Sequence, residues 1–260
     1  MIVGISGLCT DVNGKTRVAG AGKDTVARLL LEKHSFVQLA WADPMKRFCQ
    51  EVFEFTDEQL WGESESRVRP DPRYVQTAAG ALGEIDGAPN PPAPVFLTPR
   101  FALQHLGNDW GRACSLETWV RYGLRVMQRL QTGDYTYSQQ QGLRPCCVID
   151  CAAMRPKINV VVSDLRYYNE AQGIQRVGGK LVRVKRTVSY AFADQQMDGM
   201  HQSEVELPTW GDEQFDYVIE NEGDLHLLEL LVSQMMAVFS GRVLPYDEAL
   251  RDVPPFMRQR

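Results

Sequence analysis

Val18-Ala-Gly20-Ala-Gly22-Lys23-Asp24-Thr25 joins a short apolar run to an amphipathic segment, and the fold class follows from what lies on either side of it. The preceding run, Ile2-Val-Gly-Ile-Ser6, has the composition of a buried strand. From Thr25 to His34 the apolar residues recur at the spacing of one helix face. Strand, glycine-rich loop, Gly-Lys and helix is the order of a phosphate-binding loop, where backbone N–H groups, a helix N-terminus and a lysine surround an anion.

The spacing of the glycines differs from the usual G-x-x-x-x-G-K-[ST] pattern. Arg17 stands where the first glycine is expected, and the glycine that follows the strand, Gly7, lies 15 positions before Gly22. We therefore interpret Leu8–Ala19 as a loop inserted between the strand and the phosphate-binding segment. A competing match, Gly14-Lys15-Thr16, has no helical pattern after it and falls within this insertion.

Position 24 is a second departure from the pattern. Asp24 stands where the motif has a hydroxyl residue, so the usual magnesium ligand is either Thr25, one place later, or absent. A turn made by Gly20 and Gly22 without any ligand is the structural alternative to a phosphate-binding loop.

The composition argues against several classes of protein. The 260-residue chain has a net charge of −5, from 28 basic and 33 acidic residues, so we expect no general nucleic-acid-binding surface. There is no signal pattern and no apolar run of membrane-spanning length, so we expect a cytoplasmic protein that binds no membrane. The six cysteines form no C-x-x-C pair and are expected to be reduced thiols.

Five apolar runs are predicted to be strands, with helical patterns between them. The runs are Ile2–Ser6, Phe36–Ala42, Ile158–Ser163, Leu181–Lys185 and Phe215–Ile219. Strands that alternate with helices indicate a doubly wound, mainly parallel five-stranded sheet with helices on both faces. The predicted fold class is therefore α/β.

Two aspartates directly follow predicted strands, where open α/β sheets bind their ligands. Asp43 precedes Pro44 and occupies the position of a helix N-cap, although it can also face a ligand. Asp164 either holds a magnesium ion through water or caps the helix that we predict from Tyr167 to Val177.

Two arginines occur where local structure gives them no evident role. Arg100 lies in the first turn of a predicted helix, which has Thr98 as its cap and ends at Gly107; the helix dipole disfavours a cation there. Arg67 lies in Glu63–Pro94, a stretch rich in arginine, proline and glycine that we expect to be a mobile functional loop. Binding of an anionic ligand would account for both arginines.

Several stretches, in order along the chain, resemble a known family. They are Gly22-Lys23-Asp24-Thr25, Ala42-Asp43-Pro44-Met45-Lys46, Arg100-Phe-Ala-Leu-Gln104, Leu106-Gly107-Asn-Asp-Trp110-Gly111-Arg112, Ser163-Asp164-Leu-Arg166, Asn169-Glu170-Ala171, His201-Gln-Ser203-Glu204 and Asn221-Glu-Gly223. Together they resemble the deoxynucleoside monophosphate kinases of bacteriophages, relatives of adenylate kinase. The resemblance implies a P-loop kinase fold that transfers the γ-phosphoryl group of ATP to a deoxynucleoside 5′-monophosphate, with Mg²⁺.

The resemblance also implies an organisation of the chain. One P-loop kinase domain would span 1–260, with an acceptor-binding subdomain at 43–134, an inserted excursion at 135–157, a lid-like segment at 186–210 and a tail at 241–260. The implied location is the cytoplasm of an infected bacterial host.

Expected roles follow for residues of these stretches, and by position for Gly20, Ala21, Arg47, Arg67 and Arg186. Those expected to bind ATP are Gly20, Ala21, Gly22, Lys23, Asp24, Thr25, Arg186 and Asn221. Those expected to bind the monophosphate are Asp43, Arg47, Arg67, Arg100, Gln104, Arg112 and Arg166. Those expected to place the metal are Thr25, Asp24 and Asp164. Those expected to act in catalysis are Lys23, Arg100, Arg112 and Asp43.

Two further points concern the lid-like segment. In this fold, lid arginines clamp the donor nucleotide, and the candidates by position are Arg183 and Arg186, although Arg183 can instead face solvent from its strand. His201 and Glu204 resemble a family motif to which we assign no chemistry.

Three other functions stay open at the level of sequence. One is a kinase for another small metabolite on the same scaffold. The second is a kinase for hydroxymethylated bases within DNA, against which the net charge argues. The third is a non-catalytic ATP-binding module, favoured by Asp24 and the widened loop. The expected partners are small-molecule nucleotides, and the sequence allows either a monomer or a homodimer.

Overall fold

The computed structural model of the chain describes residues 1–76, 95–146, 157–192 and 207–242. Parts of the arginine-rich loop, the excursion, the lid-like segment and the tail fall outside these ranges, as do His201 and Glu204. No helix in the described ranges has both the length and the apolar composition needed to cross a bilayer.

Ten strands and eight α-helices are found in the described ranges. The strands are β1 (Ile2–Thr10), β2 (Thr16–Arg17), β3 (Phe36–Leu39), β4 (Asp71–Val75), β5 (Phe96–Leu97), β6 (Tyr135–Ser138), β7 (Gly142–Pro145), β8 (Asn159–Val162), β9 (Lys180–Thr187) and β10 (Tyr217–Glu220). The α-helices are α1 (Lys23–His34), α2 (Asp43–Phe53), α3 (Asp57–Trp61), α4 (Ser64–Val68), α5 (Pro99–His105), α6 (Thr118–Gln131), α7 (Tyr168–Arg176) and α8 (Leu225–Phe239). A π-helix spans Leu106–Arg112, and short 3₁₀ turns span Leu207–Thr209 and Asp212–Gln214.

The chain divides into two compact units. The first comprises Met1–Ala40, Tyr122–Ser138 and Leu143–Arg260, and the second comprises Trp41–Arg121 and Gln139–Gly142. The acceptor-binding part that we expected at 43–134 differs from the second unit, because the residues of α6 from Tyr122 onward group with the first unit.

A parallel sheet forms the centre of the first unit. Its strand order is β10-β9-β1-β8-β3, and all four pairings between these strands are parallel. The five predicted strands are therefore confirmed. The short strand β2 pairs antiparallel with β1 and adds a sixth strand that the sequence did not predict.

Helices cover both faces of this sheet. Val3 and Ile5 of β1 pack in a buried apolar cluster with residues of α1 and α8, including Leu30 and Val232. Alternate residues of a strand point to opposite faces, and a Cβ added at Gly4 would lie 2.7 Å from Leu165, just before α7, and 3.3 Å from Ile174 of α7. The doubly wound α/β prediction is confirmed.

The segment interpreted as a loop insertion is an ordered hairpin instead. β1 continues to Thr10, and its pairing with β9 runs from Val3 opposite Lys180 to Thr10 opposite Thr187. Asp11 then closes the turn, because its Oδ1 accepts hydrogen bonds from the backbone N–H groups of Asn13 and Lys15. The sequence missed this extension because Gly7-Leu-Cys-Thr10 lacks the uniform apolar character of a central strand.

The second unit is built from short helices and a two-stranded sheet. Its core contains the buried residues Cys49, Phe55, Leu60 and Ala102. The capping box that opens α3 has reciprocal hydrogen bonds between Thr56 and Gln59. Burial of Phe55 and of Leu60 stabilises the unit by about 1.5–3 kcal/mol each relative to exposed side chains.

The end predicted for the helix that carries Arg100 is wrong. Thr98 caps α5 as expected, with its Oγ1 accepting from the backbone N–H of Phe101 at 3.1 Å. At Gly107, however, the chain does not leave the helix but widens into the π-helix that ends at Arg112. The π-helical geometry is rare and is frequently found at functional sites.

Candidate active site

Expected site residues follow or end four of the five parallel strands, at one edge of the sheet. The loop Gly20–Thr25 follows β1 and its hairpin, Asp164 follows β8, Arg186 lies near the end of β9, and Asn221 directly follows β10. The carboxyl ends of parallel strands lie at the same edge, which is where open α/β sheets bind ligands. The topology therefore groups these residues, although they are spread over 200 positions of sequence.

Gly7 lies next to the phosphate loop, although the hairpin separates the two in the sequence. A Cβ added to Gly7 would lie 3.2 Å from the Cβ of Ala21 and 3.5 Å from Cδ of Lys23. It would also lie 2.6 Å from the backbone oxygen of Val18, a distance that no side chain tolerates. Gly7 therefore lies where the motif's first glycine is expected, although it comes 15 positions before Gly22 in the sequence.

Two glycines of the loop adopt a left-handed backbone conformation. Gly20 has φ 89° and Gly22 has φ 95°, values that are strained for residues with a side chain. Asn221, which is buried, donates from Nδ2 to the backbone oxygen of Ala21 at 2.9 Å. A Cβ at Gly22 would lie 2.3 Å from the same Nδ2, so Asn221 supports the loop from behind and Gly22 makes room for it.

Lys23 is the first residue of α1 and pairs with its neighbour Asp24. The Nζ atom lies 2.6 Å from Oδ1 and 2.8 Å from Oδ2 of Asp24. The Lys23 side chain is 15% exposed and the Asp24 side chain 75% exposed, so the pair lies at the rim of the loop. A phosphate at the helix N-terminus would compete with this carboxylate for the amine.

The cap roles that we considered for two aspartates are both wrong. α2 begins at Asp43 itself, with Ala42 as the N-cap residue, and Asp43 is fully buried. α7 has Tyr167 as its N-cap residue, and Oε2 of Glu170 accepts from the backbone N–H groups of Arg166 and Tyr167. Helix capping therefore does not explain the position of Asp43 or of Asp164.

The donor set suits a magnesium ion held mainly by phosphates and water. No group of three or more His, Cys, Asp or Glu side chains in the described ranges could hold a metal. Thr25 and Asp164 supply only a hydroxyl and one carboxylate, both half-buried. Mg²⁺ typically keeps several waters and binds one or two carboxylates together with substrate phosphates, so these residues fit such an ion.

Arg183 has a structural role and does not face solvent. It is 2% exposed, its guanidinium donates to the backbone oxygens of Trp210 and Leu207, and it lies 4.1 Å from the centre of the Phe215 ring. Burial lowers the pKa of this guanidinium, and its pairing with Asp212 opposes that effect. Arg186, three residues further along β9, is exposed and stays the candidate of the two for a ligand contact.

The second unit contains most of the residues expected to bind the monophosphate. Oδ1 of Asp43 accepts from Nε2 of Gln139 at 3.3 Å, and Nη1 of Arg47 donates to the backbone oxygen of Gln139 at 2.8 Å. Arg47 also lies against Gly142, where an added Cβ would be 3.2 Å from its Cζ. Asp43 and Arg47 thus both contact the 139–142 turn, a relationship that no sequence pattern signalled.

The other arginines of this unit lie on α4, α5 and the π-helix. Nη2 of Arg67 donates to the backbone oxygen of Gly62 at 3.2 Å, at the end of the preceding helix. Arg100 and Gln104 are exposed and lie four residues apart on α5, so they share one face of the helix. Arg112, half-buried, is the last residue of the π-helix.

Trp119 holds the π-helix in place, a role that sequence reasoning missed. Its Nε1 donates to the backbone oxygen of Gly107 at 2.9 Å. A Cβ at Gly111 would lie 2.2 Å from Cζ2 of the same ring, so the π-helix packs closely on the indole through a glycine. The position of Arg112 therefore depends on Trp119.

The expected site residues fall into two sets. The first unit holds Gly20, Ala21, Gly22, Lys23, Asp24, Thr25, Asp164, Arg166, Arg186 and Asn221, and the second holds Asp43, Arg47, Arg67, Arg100, Gln104 and Arg112. Chemically, the first set offers backbone N–H groups and a lysine, which can bind an anion. The second set offers mainly guanidinium groups, which bind phosphate oxygens with two parallel hydrogen bonds.

A known viral protein is similar to most of this chain. No protein-family model matches the chain. A protein of Acanthamoeba polyphaga mimivirus named "Putative deoxynucleotide monophosphate kinase" is 31% identical over 188 residues, which make up 72% of this chain and 77% of that protein. The relative comes from a virus of an amoeba, so the comparison gives no support for the bacteriophage origin that we expected. Taken with the parallel sheet and the loop that follows β1, this identity establishes that the chain belongs to the deoxynucleotide monophosphate kinase family and has an α/β P-loop kinase fold.

Proposed function

We propose that the protein transfers the γ-phosphoryl group of ATP to a deoxynucleoside 5′-monophosphate and releases the diphosphate and ADP. The observation that supports this most strongly is the approach of Gly7 to Ala21 and Lys23, which rebuilds a compact phosphate loop in spite of the widened sequence spacing. The name of the mimivirus relative supports the same class of acceptor.

On the donor side, backbone N–H groups from Gly20 to Thr25 and the amine of Lys23 bind the β- and γ-phosphates. Lys23 exchanges its contact with Asp24 for the phosphate, which carries more negative charge than one carboxylate. Asn221 acts through the Ala21 backbone and is a positioning residue. Arg186, exposed near the end of β9, approaches the donor from the lid-like segment.

On the acceptor side, Arg100 and Arg112 bind the phosphate of the monophosphate. Their planar guanidinium groups each offer two parallel N–H donors, where a lysine offers a point charge. Gln104 shares the helix face of Arg100 and contacts the same ligand. Arg47, Arg67 and Arg166 are second choices for binding the same phosphate.

In the transfer itself, an oxygen of the acceptor phosphate attacks the γ-phosphorus while the bond to the β–γ bridging oxygen breaks. The protein mainly holds the two groups in line and stabilises the charge that spreads over the moving phosphoryl group. Asp43, buried and bonded to Gln139, orients the acceptor. Magnesium supplies charge neutralisation at the β- and γ-phosphates, with Thr25 or Asp24 and Asp164 as the residues that would hold it.

A second candidate is a nucleotide-binding module that transfers nothing. The pair between Lys23 and Asp24 favours it, because a carboxylate already occupies the amine and the motif's hydroxyl is displaced by one position. Under this alternative, ATP would bind without release of ADP in the presence of any acceptor.

A coupled assay of ADP release separates these candidates. Purified protein with Mg²⁺ and ATP is offered each natural nucleoside monophosphate, in ribo and deoxy form, and the hydroxymethylated pyrimidine monophosphates. We expect ADP release with one or more deoxynucleotides and detection of the matching diphosphate as product. ATP binding with no ADP release across the whole panel would refute the kinase proposal, and transfer only to other metabolites would refute the acceptor class.

A further inference from the structure

The β1–β2 hairpin brings one arginine against the phosphate loop. Arg17 lies opposite Cys9 in the hairpin and three residues before Gly20. A Cβ added to Gly20 would lie 3.3 Å from Nη2 and 3.8 Å from Nε of Arg17. The edge of the guanidinium formed by Nε and Nη2 therefore faces the loop at Gly20.

This edge includes a buried donor without a partner. Nε of Arg17 is inaccessible to solvent and has no hydrogen-bond acceptor among the described residues. Arg17 also forms no ion pair within the described ranges. Nε is closed to a ligand as it is to solvent, so the arrangement offers an anion the Nη groups and a charge that no described carboxylate balances.

The hairpin holds Arg17 in this position without neutralising it. The guanidinium stacks on the ring of Phe192, with Cζ 4.0 Å from the ring centre. The backbone N–H of Phe192 donates to Oδ2 of Asp11 at 2.8 Å, and this bond, together with those from Lys15 and Asn13, lowers the pKa of that buried carboxyl. Asp11 thus anchors the ring that supports Arg17, while its oxygens accept from backbone N–H groups.

We propose that Arg17 is a second cation of the donor site, which binds the terminal phosphate of ATP through its terminal Nη groups, since Nε is closed to solvent. This inference rests on the proposed kinase function and adds a residue to its donor site. It explains why the motif can lose the glycine at position 17: Gly7 supplies the close approach, and the hairpin places a guanidinium beside the loop instead. Lys23 and Arg17 would then share the terminal phosphate as a point charge and a planar fork.

The test compares two variants of Arg17 with one control in direct nucleotide-binding experiments. Arg17→Met keeps an unbranched stem against Phe192 but removes the charge, and Arg17→Lys keeps the charge but removes the fork. Arg28→Ala, which removes an exposed arginine on α1, is the matched control. Dissociation constants for ATP and ADP are measured by calorimetry for each protein, with melting temperatures recorded in the absence of nucleotide.

We expect Arg17→Met to weaken ATP binding at least tenfold and ADP binding by less than threefold, since a hydrogen bond to a charged group typically accounts for a factor of about ten or more. Arg17→Lys should recover part of the lost ATP affinity, and Arg28→Ala should bind both nucleotides like the original protein. The ratio of the two dissociation constants is the decisive quantity, because a merely structural arginine would leave it unchanged.

One result would overturn the proposal: an unchanged ratio of the ADP and ATP dissociation constants in Arg17→Met, whatever its melting temperature. The ratio stays unchanged if neither affinity falls, or if both fall equally, which would remove Arg17 from the terminal phosphate. If the original protein binds no ATP at all, the proposed kinase function fails as well, whereas tight ATP binding with an indifferent Arg17 leaves the kinase proposal standing.

Discussion

Nδ2 of Asn221 lies 2.9 Å from the backbone oxygen of Ala21, so two residues 200 positions apart meet behind the phosphate loop. Asn221 follows β10 at the same sheet edge as the loop that follows β1, and Gly22 has no side chain where Nδ2 passes. The shape of the loop is therefore set partly by the far end of the chain.

Removing this contact should loosen the loop without unfolding the protein. We expect Asn221→Ala to raise the KM for ATP about five- to tenfold, because one hydrogen bond of about 1 kcal/mol to the loop is lost and a buried acceptor is left unsatisfied. Steady-state kinetics at saturating acceptor measure this effect. Asn13→Ala, at the exposed tip of the hairpin, is the control. An unchanged KM for ATP in Asn221→Ala would contradict the positioning role.

Both Lys23 and Lys15 follow a glycine, but we expect alanine substitution of the two lysines to have opposite effects on turnover. Lys23→Ala should lose most of its turnover and keep its fold, because Lys23 opens α1 beside Gly7. Lys15→Ala should keep its turnover, because Lys15 lies in the hairpin turn, where its backbone N–H donates to Asp11. Turnover numbers and circular dichroism of both variants provide the measurement. Full activity of Lys23→Ala would refute the assignment of the loop.

Arg100 and Arg112 are expected to act on the acceptor. Alanine at either position should raise the KM for the monophosphate by tenfold or more, with a change of less than threefold in the KM for ATP, since a charge-assisted hydrogen bond to phosphate is lost. Arg125→Ala, which alters an exposed arginine of α6, should change neither value. If a variant at 100 or 112 raises the KM for ATP and for the monophosphate equally, that residue does not act on the acceptor.

The π-helix depends on two buried glycines that meet different neighbours. Gly111→Ala would place its Cβ 2.2 Å from the Trp119 ring and should lower the free energy of unfolding by about 1–3 kcal/mol. Gly107→Ala would meet only the flexible end of Met45 at 3.2 Å and should cost less than about 1 kcal/mol. Urea unfolding compares the two variants. Equal losses would mean that the indole does not hold the π-helix.

The stability of the second unit should depend on pH through Asp71. Hydrogen bonds from Arg73 lower the pKa of this buried carboxyl to about 2, below its ordinary value of 3.8. Because the folded-state pKa is depressed, its contribution is complete above pH 4 and is lost as the pH falls towards 2. Urea unfolding of the original protein and Asp71→Asn between pH 5 and pH 2 should give a stability difference that shrinks on acidification. A difference that is constant over this range would contradict the depressed pKa.

The local elements were predictable because their signals lie within a few neighbouring residues. Apolar runs located all five parallel strands, and Thr98 located the start of α5, where its side chain makes the expected capping hydrogen bond. The predictions failed where a residue's role depends on a distant partner. Asp43 and Asp164 have cap-like positions in sequence, yet neither caps its helix, and Arg183 alternates with valines on a strand, yet is buried against Trp210 and Asp212.

The order of residues therefore settles the α/β class, the strand that precedes the phosphate loop and the lysine that begins α1, because hydrophobic periodicity and helix-end chemistry act over short distances. Tertiary structure alone decides which glycine completes the loop, which amide supports it and which arginine faces it. Asn221 reaches the loop through the pairing of β1 with β9 and of β9 with β10, whereas Gly7 and Arg17 reach it through the β1–β2 hairpin. Strand pairing brings together residues whose contact cannot be read from their spacing along the chain.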